Sequence, residues 1–240
     1  MKQIFEKIAM WLKHYIILFY TKIENSYFHK INHISDTEYE IRKMFLKWVE
    51  TKWYYYPYQS YPPLNIKWQR PTASRVWNYW ILKYINKDKE ILDIGWNVGF
   101  LSLYLSRFAK HVDIVEYAKY AANIWKYLQE KEKIENVNII NWDFWKYETE
   151  KKYDLIMSFA VHWWVWIEFN DYMKKISELL KNDWVFIIES HFIYKWIDRK
   201  WDDSHLENQI IDNWIFKIIE KWFSDDDSWV IRNYFILQKK

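Results

Sequence analysis

From residue 90 onward, short runs rich in Ile, Val and Leu alternate with amphipathic stretches, and this alternation limits the fold more than any other feature of the chain. The runs EILDIG (90–95), HVDIVE (111–116), NVNIINWD (136–143), YDLIMSFAV (153–161) and WVFIIES (184–190) read as strands. Between them lie VGFLSLYLSRFA (98–109), YAKYAANIWKYLQEKEKI (117–134) and NDYMKKISELLKN (170–182), each with apolar residues at helical spacing. Strand, helix, strand in succession builds βαβ units. Their strands lie parallel and their helices cover the sheet faces. A short helix, HLENQIIDN (205–213), precedes two closing strands, FKIIEKWF (216–223) and WVIRNYFILQKK (229–240). The polar turn SDDDS joins those two, which predicts an antiparallel pair. The expected fold is α/β: a mostly parallel seven-stranded sheet between helical layers, with an antiparallel last strand.

The first 70 residues read differently. IFEKIAMWLKHYIILFYTKI (4–23) and ISDTEYEIRKMFLKWV (34–49) are helix candidates, the second with Ser35 or Asp36 as its cap. Glu6, Lys7, Lys13 and His14 make the first too charged to span a membrane. It rests on the protein's own core or on a membrane surface, and the first is preferred. All four prolines, Pro57, Pro62, Pro63 and Pro71, fall in WYYYPYQSYPPLNIKWQRP (53–71), where neither a helix nor a central strand continues. After Pro71, TASRVWNYWILKYI (72–85) resumes helical spacing. The expected division is a helical extension with an aromatic, proline-rich linker over 1–70 and an α/β domain over 71–240. There is no signal-peptide layout and no cysteine, which fits a cytoplasmic protein and leaves no thiolate for metal binding or nucleophilic attack.

In an open α/β sheet, ligands bind beyond the carboxyl ends of the strands. Here the first strand runs into Asp93-Ile94-Gly95-Trp96-Asn97-Val98-Gly99, and Gly95 and Gly99 are the only glycines of the chain. Glycine allows the tight turn and close approach of a ligand to the backbone. The dinucleotide pattern G-x-G-x-x-G would need glycine at 97 and 100, where Asn97 and Phe100 stand. An acid-h-G-x-G-x-G spacing is matched at Asp93, Gly95 and Gly99, with Asn97 at the middle position and Trp96 at a free one.

LDIGWNVGFLSLYL resembles motif I of the S-adenosylmethionine-dependent methyltransferases with a Rossmann-like three-layer sandwich, in the variant with Asn at the middle glycine. The likeness covers residues 75–240, with a weaker match at WQRPTASR (68–75). It implies S-adenosylmethionine as cofactor, held by Asp93, Gly95, Trp96, Asn97 and Gly99. Glu116, with Tyr117 beside it, stands where the family's acid binds the ribose hydroxyls. Asp143 and Phe144 stand where the family contacts adenine, and Ser158 lies on the strand facing the crevice. Asp154 resembles the acid that opens the fourth strand. LLKNDWVFIIESH resembles the family's LLKPGG turn and fifth strand, with Trp184 where glycine is usual. Taken alone, Glu116 is equally a solvated strand end and Asp143 a turn residue or helix cap.

Transfer from a sulfonium needs chiefly alignment of the acceptor at roughly 3 Å and exclusion of water. A base is needed only where the acceptor must lose a proton. His162, Glu189 and His191 lie at the ends of the fourth and fifth strands and are the candidates. No Asn/Asp-Pro-Pro-aromatic motif of exocyclic-amine methylation is present, and carbon-5 cytosine methylation lacks its cysteine. The expected reaction is methyl transfer to an O or N atom of a small molecule, with RNA as the alternative acceptor. The aromatic linker Trp53–Tyr61 with Lys67, Arg70 and Arg75 suits a lid or packing better than base stacking. The net charge of +3 is far from that of a dedicated nucleic-acid binder. A non-catalytic module that keeps the fold, or less favourably an NAD-dependent oxidoreductase, are the other readings.

Composition enters at the turns. Average usage predicts about 17 glycines in such a chain; there are 2, with 19 tryptophans. Trp142, Trp184 and Trp229 stand among turn residues, where a residue tolerant of positive φ is expected. The pattern is that of UGA codons meaning glycine and written as tryptophan.

Overall fold

The computed structural model describes residues 2–31, 33–48, 59–66, 72, 76–77, 80–95, 100–191, 193–194, 205–225 and 230–240. The chain forms two compact units, Met1–Pro71 and Thr72–Lys240.

In the first unit, α1 (Lys2–Lys30) and α2 (Asp36–Trp48) form a helical pair. The backbone N–H of Glu38 donates to Ser35 Oγ at 3.1 Å, which makes Ser35 the cap. Asp36 instead meets His29 Nε2 at 2.7 Å, and the His29 ring stacks on Tyr39 with centroids 4.3 Å apart. Arg42 of α2 donates to Asn25 Oδ1 of α1 at 2.9 Å and to Glu38. Pro62–Leu64 forms a single 3₁₀ turn inside the bridge between Tyr61 and Ile66. Residues 53–58 and 67–71 of the linker, with Lys67 and Arg70, lie outside the described residues, as does Arg75. Among the described residues, no helix is long and apolar enough to cross a membrane.

The second unit is built on one sheet. Strands β1 (Glu90–Ile94), β2 (His111–Val115), β3 (Val137–Ile140), β4 (Tyr153–Phe159) and β5 (Leu180–Glu189) pair parallel in the order β3-β2-β1-β4-β5. Strand β8 (Val230–Lys239) joins β5 antiparallel, and β7 (Phe216–Asp225) pairs antiparallel with β8. Tyr234 pairs with Glu189 on one side and Trp222 on the other, so β5 and β7 flank β8 and point the same way. Six strands therefore run parallel and β8 runs against them, as expected. The sequence reading missed the two-residue β6 (Ile193–Tyr194), which pairs with β8.

The connections are α3 (Phe100–Leu105), α4 (Lys119–Glu132), α5 (Phe169–Leu179) and α6 (Leu206–Asp212). All seven residues of β4 are buried, as a central strand covered on both faces requires. Met173, Ile176 and Leu179 of α5 pack with Ile156, Phe186 and Ile188 of the sheet in one apolar cluster. The turn Lys181-Asn182-Asp183-Trp184 departs from expectation: its left-handed residue is Asp183, at φ 64°, not Trp184. The Trp184 ring lies against Lys89, whose Nζ is 3.5 Å from the ring centroid.

One buried cluster ties β2 to its neighbours. The Asp113 carboxylate accepts from Lys151 Nζ (2.8 Å), Tyr153 Oη (2.9 Å) and Asn138 Nδ2 (3.1 Å), and meets His111 Nε2 at 3.1 Å. Burial pushes its pKa up, but these bonds together outweigh burial and hold it below the ordinary value. A carboxyl depressed in the folded state contributes stability above its unfolded pKa and loses it as pH falls through the folded one. Asp113→Asn is therefore expected to lower stability at pH 7 by about 1–3 kcal/mol. The gap from the parent closes in acid below the ordinary carboxylate range. Denaturant melts at both pH values check this, and a gap that widens in acid would contradict it.

Candidate functional site at the carboxyl ends of the strands

The strand order reverses at β1, which has β2 on one side and β4 on the other. Such a reversal opens a crevice beyond the strand ends, because the following connections leave in opposite directions. The register places Ile94 beside Val115 and Ser158. Gly95, Glu116 and Phe159 therefore leave the sheet at one level.

Gly95 sits at φ 62°, and its N–H donates to Val115 O at 2.8 Å. A Cβ at this position would lie 2.4 Å from Val161 Cγ1, on the segment that follows β4. The left-handed turn and the close approach both require glycine. Trp96, Asn97 and Gly99 lie outside the described residues.

Asp93, one residue before the strand end, is fully buried. Its carboxylate accepts from Ser102 Oγ on α3, which ties the helix to the strand on either side of the turn. Beside it, Tyr172 Oη of α5 donates to Ser158 Oγ at 2.6 Å. Burial raises the Tyr172 pKa far above its ordinary value. The Ser158 bond opposes this, and the charge of Asp93 adds to the rise. Tyr172 is thus a neutral donor at any physiological pH. Asp93 and Ser158 together form a buried polar floor under the turn.

Glu116 directly follows β2 and is 7% exposed. Its Oε1 accepts from the Ala118 N–H at 2.7 Å. Asn141 Nδ2 donates to the carbonyls of Glu116 (2.8 Å) and Tyr117 (3.0 Å), and Trp142 N–H donates to Glu116 O at 3.1 Å. The β3 end therefore clamps the β2 end. The Tyr117 ring is exposed. Asp143 accepts from Trp145 N–H at 3.1 Å and caps the turn Phe144–Lys146. Its cap reading is thus realised. Phe144 is buried against Tyr172, ring centroids 5.8 Å apart.

Three candidate proton acceptors differ in their surroundings. His162 opens a 3₁₀ turn, His162–Trp164, at the end of β4, is largely buried, and meets Phe169 edge to face at 6.1 Å. The His191 ring is 5.9 Å from that of Trp164, so the segments after β4 and β5 meet. Glu189 is 1% exposed and its Oε1 lies 3.5 Å from Arg232 Nε of β8. No group of His, Asp or Glu among the described residues is arranged to hold a metal.

Sequence reasoning did not find Ser102, Asn141, Val161 or Tyr172. Each acts through a contact with another element, 9 residues away for Ser102–Asp93, 14 for Tyr172–Ser158 and 25 for Asn141–Glu116, and none carries a local spacing signal.

Residues 91–183 match a family model described as a methyltransferase domain. No curated protein matches the chain. Among solved structures it is similar to YjhP from E. coli, at 11% identity over 70% of this chain and 92% of that one, with a TM-score of 0.59. A methyltransferase from Thiobacillus denitrificans, described as SAM-dependent and bound to S-adenosyl-L-homocysteine, matches at 10% identity over 70% and 91%, with a TM-score of 0.58. An rRNA methylase from Streptococcus thermophilus matches at 12% identity over 68% and 94%, with a TM-score of 0.52. Identities this low establish the fold.

Proposed function

We infer, for a chain whose residues 91–183 match a family model described as a methyltransferase domain, an enzyme that transfers a methyl group from S-adenosylmethionine to an O or N atom of a small-molecule acceptor. The observation that carries this reading is the placement, at neighbouring strand ends beside the reversal of strand order, of a glycine that tolerates no Cβ and of Glu116.

The residues present fit that cofactor. Gly95 leaves the backbone bare where a nucleoside with its amino-acid tail would lie. Asp93 and Ser158 fix the floor of the turn. In this reading Glu116 receives the ribose hydroxyls, since a carboxylate offers about four lone-pair sites. Asn141 and Trp142 hold that residue's backbone in place. Asp143 orders the Phe144–Lys146 turn beside the adenine, and Tyr117 and Phe144 supply apolar contact. Asn97, Gly99 and Trp96 complete the loop in this reading. When bound, the cofactor supplies a sulfonium-activated methyl group. The chain then has to orient the acceptor and exclude water.

Where the acceptor must lose a proton, His162 and His191 are our candidates to take it, since they stand on the segments that follow β4 and β5, which meet at Trp164 and His191. Glu189 is assigned instead to holding β5 against β8, because its buried carboxylate faces the Arg232 guanidinium. The mild net charge favours a small acceptor over RNA.

The test is incubation with methyl-labelled S-adenosylmethionine and separate small-metabolite and RNA fractions of a cell extract. The expected result is label in the small-molecule fraction. Label in RNA would overturn the acceptor assignment, and cofactor binding without label in either fraction would favour a non-catalytic module.

A further inference from the structure

We propose that the positions written Trp80, Trp166 and Trp214 carry glycine in the protein the cell makes, their codon being decoded as glycine rather than tryptophan. The inference is independent of the acceptor and of the methyltransferase reading.

Seven non-glycine residues among those described have positive φ: Asn65, Trp80, Lys133, Ala160, Trp166, Asp183 and Trp214. In the left-handed region the Cβ of an L-residue crowds the following carbonyl oxygen. Asn and Asp offset this with a short polar side chain that bonds locally, so Asn65 and Asp183 are ordinary. A tryptophan has no such compensation. Yet Trp80, Trp166 and Trp214 stand at φ 52°, 57° and 59°.

Packing does not explain them. The three indoles are 57%, 87% and 80% exposed. A residue whose value to a fold is the apolar area it buries is largely turned to water at three left-handed positions, with Lys240 Nζ 4.8 Å from the Trp214 ring centroid. Their places in the fold are places for glycine. Trp214 follows Asn213, the C-cap of α6, at the position where helices most often end in a left-handed glycine. Trp80 enters the 3₁₀ turn Ile81–Tyr84, and Trp166 ends the segment after the His162–Trp164 turn.

These positions differ from those the sequence suggested. Trp142 and Trp184 are not among the positive-φ residues, and Trp229 lies outside the described residues. Lys133 and Ala160 also take a positive φ, so geometry and the glycine deficit together, not φ alone, mark these three tryptophans. The count of 2 glycines against 19 tryptophans points the same way from an unrelated direction. For the site, the consequence is that the segment after β4 has a bare, tightly turned residue at 166 in place of an indole. Acceptor recognition then cannot rest on stacking there.

Peptide mass spectrometry of the chain isolated from its own cells decides the matter. Peptides spanning 80, 166 and 214 are expected to be lighter by the difference between an indolylmethyl group and a hydrogen. An intact tryptophan mass at any of the three overturns the proposal. A second measurement uses recombinant protein. Trp80→Gly, Trp166→Gly and Trp214→Gly are each expected to raise Tm by about 2–4 °C, since each relieves a strained backbone. Trp145→Gly serves as the contrast: it is 47% exposed, its ring meets Lys175 and its φ is not positive, so no rise is expected. Lower Tm at the three left-handed positions would contradict the geometric reasoning.

Discussion

Gly95→Ala is expected to cost about 2–5 kcal/mol of stability and to abolish cofactor binding at concentrations that saturate the parent. Two effects add. A left-handed φ costs an L-residue about 1–2 kcal/mol. The new Cβ also falls 2.4 Å from Val161 Cγ1, and forcing a methyl into a packed site costs about 1–3 kcal/mol more. The two parts are separable. Adding Val161→Ala removes the clash and leaves the φ cost, so the double variant is expected to recover part of the loss seen in Gly95→Ala alone. Calorimetric melts with and without S-adenosylhomocysteine measure both. An unchanged Tm for the single variant would show that the turn is not held as described.

Glu116→Ala is the second large effect, and it falls on binding. In the proposed reading its carboxylate receives the ribose hydroxyls, and removing it leaves them unpaired in the complex, which costs about 1–3 kcal/mol, or roughly 5- to 150-fold in affinity. The same substitution loses the bond from Ala118 N–H, so some loss of stability accompanies it. Glu116→Gln separates the two. It keeps an oxygen for Ala118 N–H but offers the sugar a weaker, neutral acceptor, and is expected to fold as the parent does while binding less tightly. Equal affinity in parent and Gln variant would remove Glu116 from the cofactor site.

The sheet could be read before the structure was seen because its strands are buried on both faces. Burial makes β1 and β4 continuous apolar runs, and the amphipathic α4 and α5 between such runs leave little choice but parallel crossovers. The antiparallel closing pair was legible from a polar turn between two β-branched runs. The glycine turn was legible for a similar reason: an acid and a glycine at a strand end are local features, and Gly95 takes a left-handed φ there. What stayed hidden depends on contacts between distant segments. Nothing near Glu189 announces that Arg232 Nε lies 3.5 Å from its carboxylate. Nothing near Asp93 announces that Ser102 binds it, or that Val161 presses on Gly95. Asp143 was ambiguous because one residue type serves both as a cap and as a ligand to a base, and its bond to Trp145 N–H shows the first role in place. The left-handed tryptophans were hidden because turn-forming neighbours mark a turn without saying which of its residues takes the positive φ. At Lys181–Trp184 that residue proved to be Asp183.

The most direct test of the account is a calorimetric titration of the purified chain with S-adenosylhomocysteine, and in parallel with NAD. The account predicts saturable one-to-one binding of S-adenosylhomocysteine that Glu116→Gln weakens, and no heat from NAD. Binding of NAD, or no binding of S-adenosylhomocysteine by a chain that melts cooperatively, would contradict it.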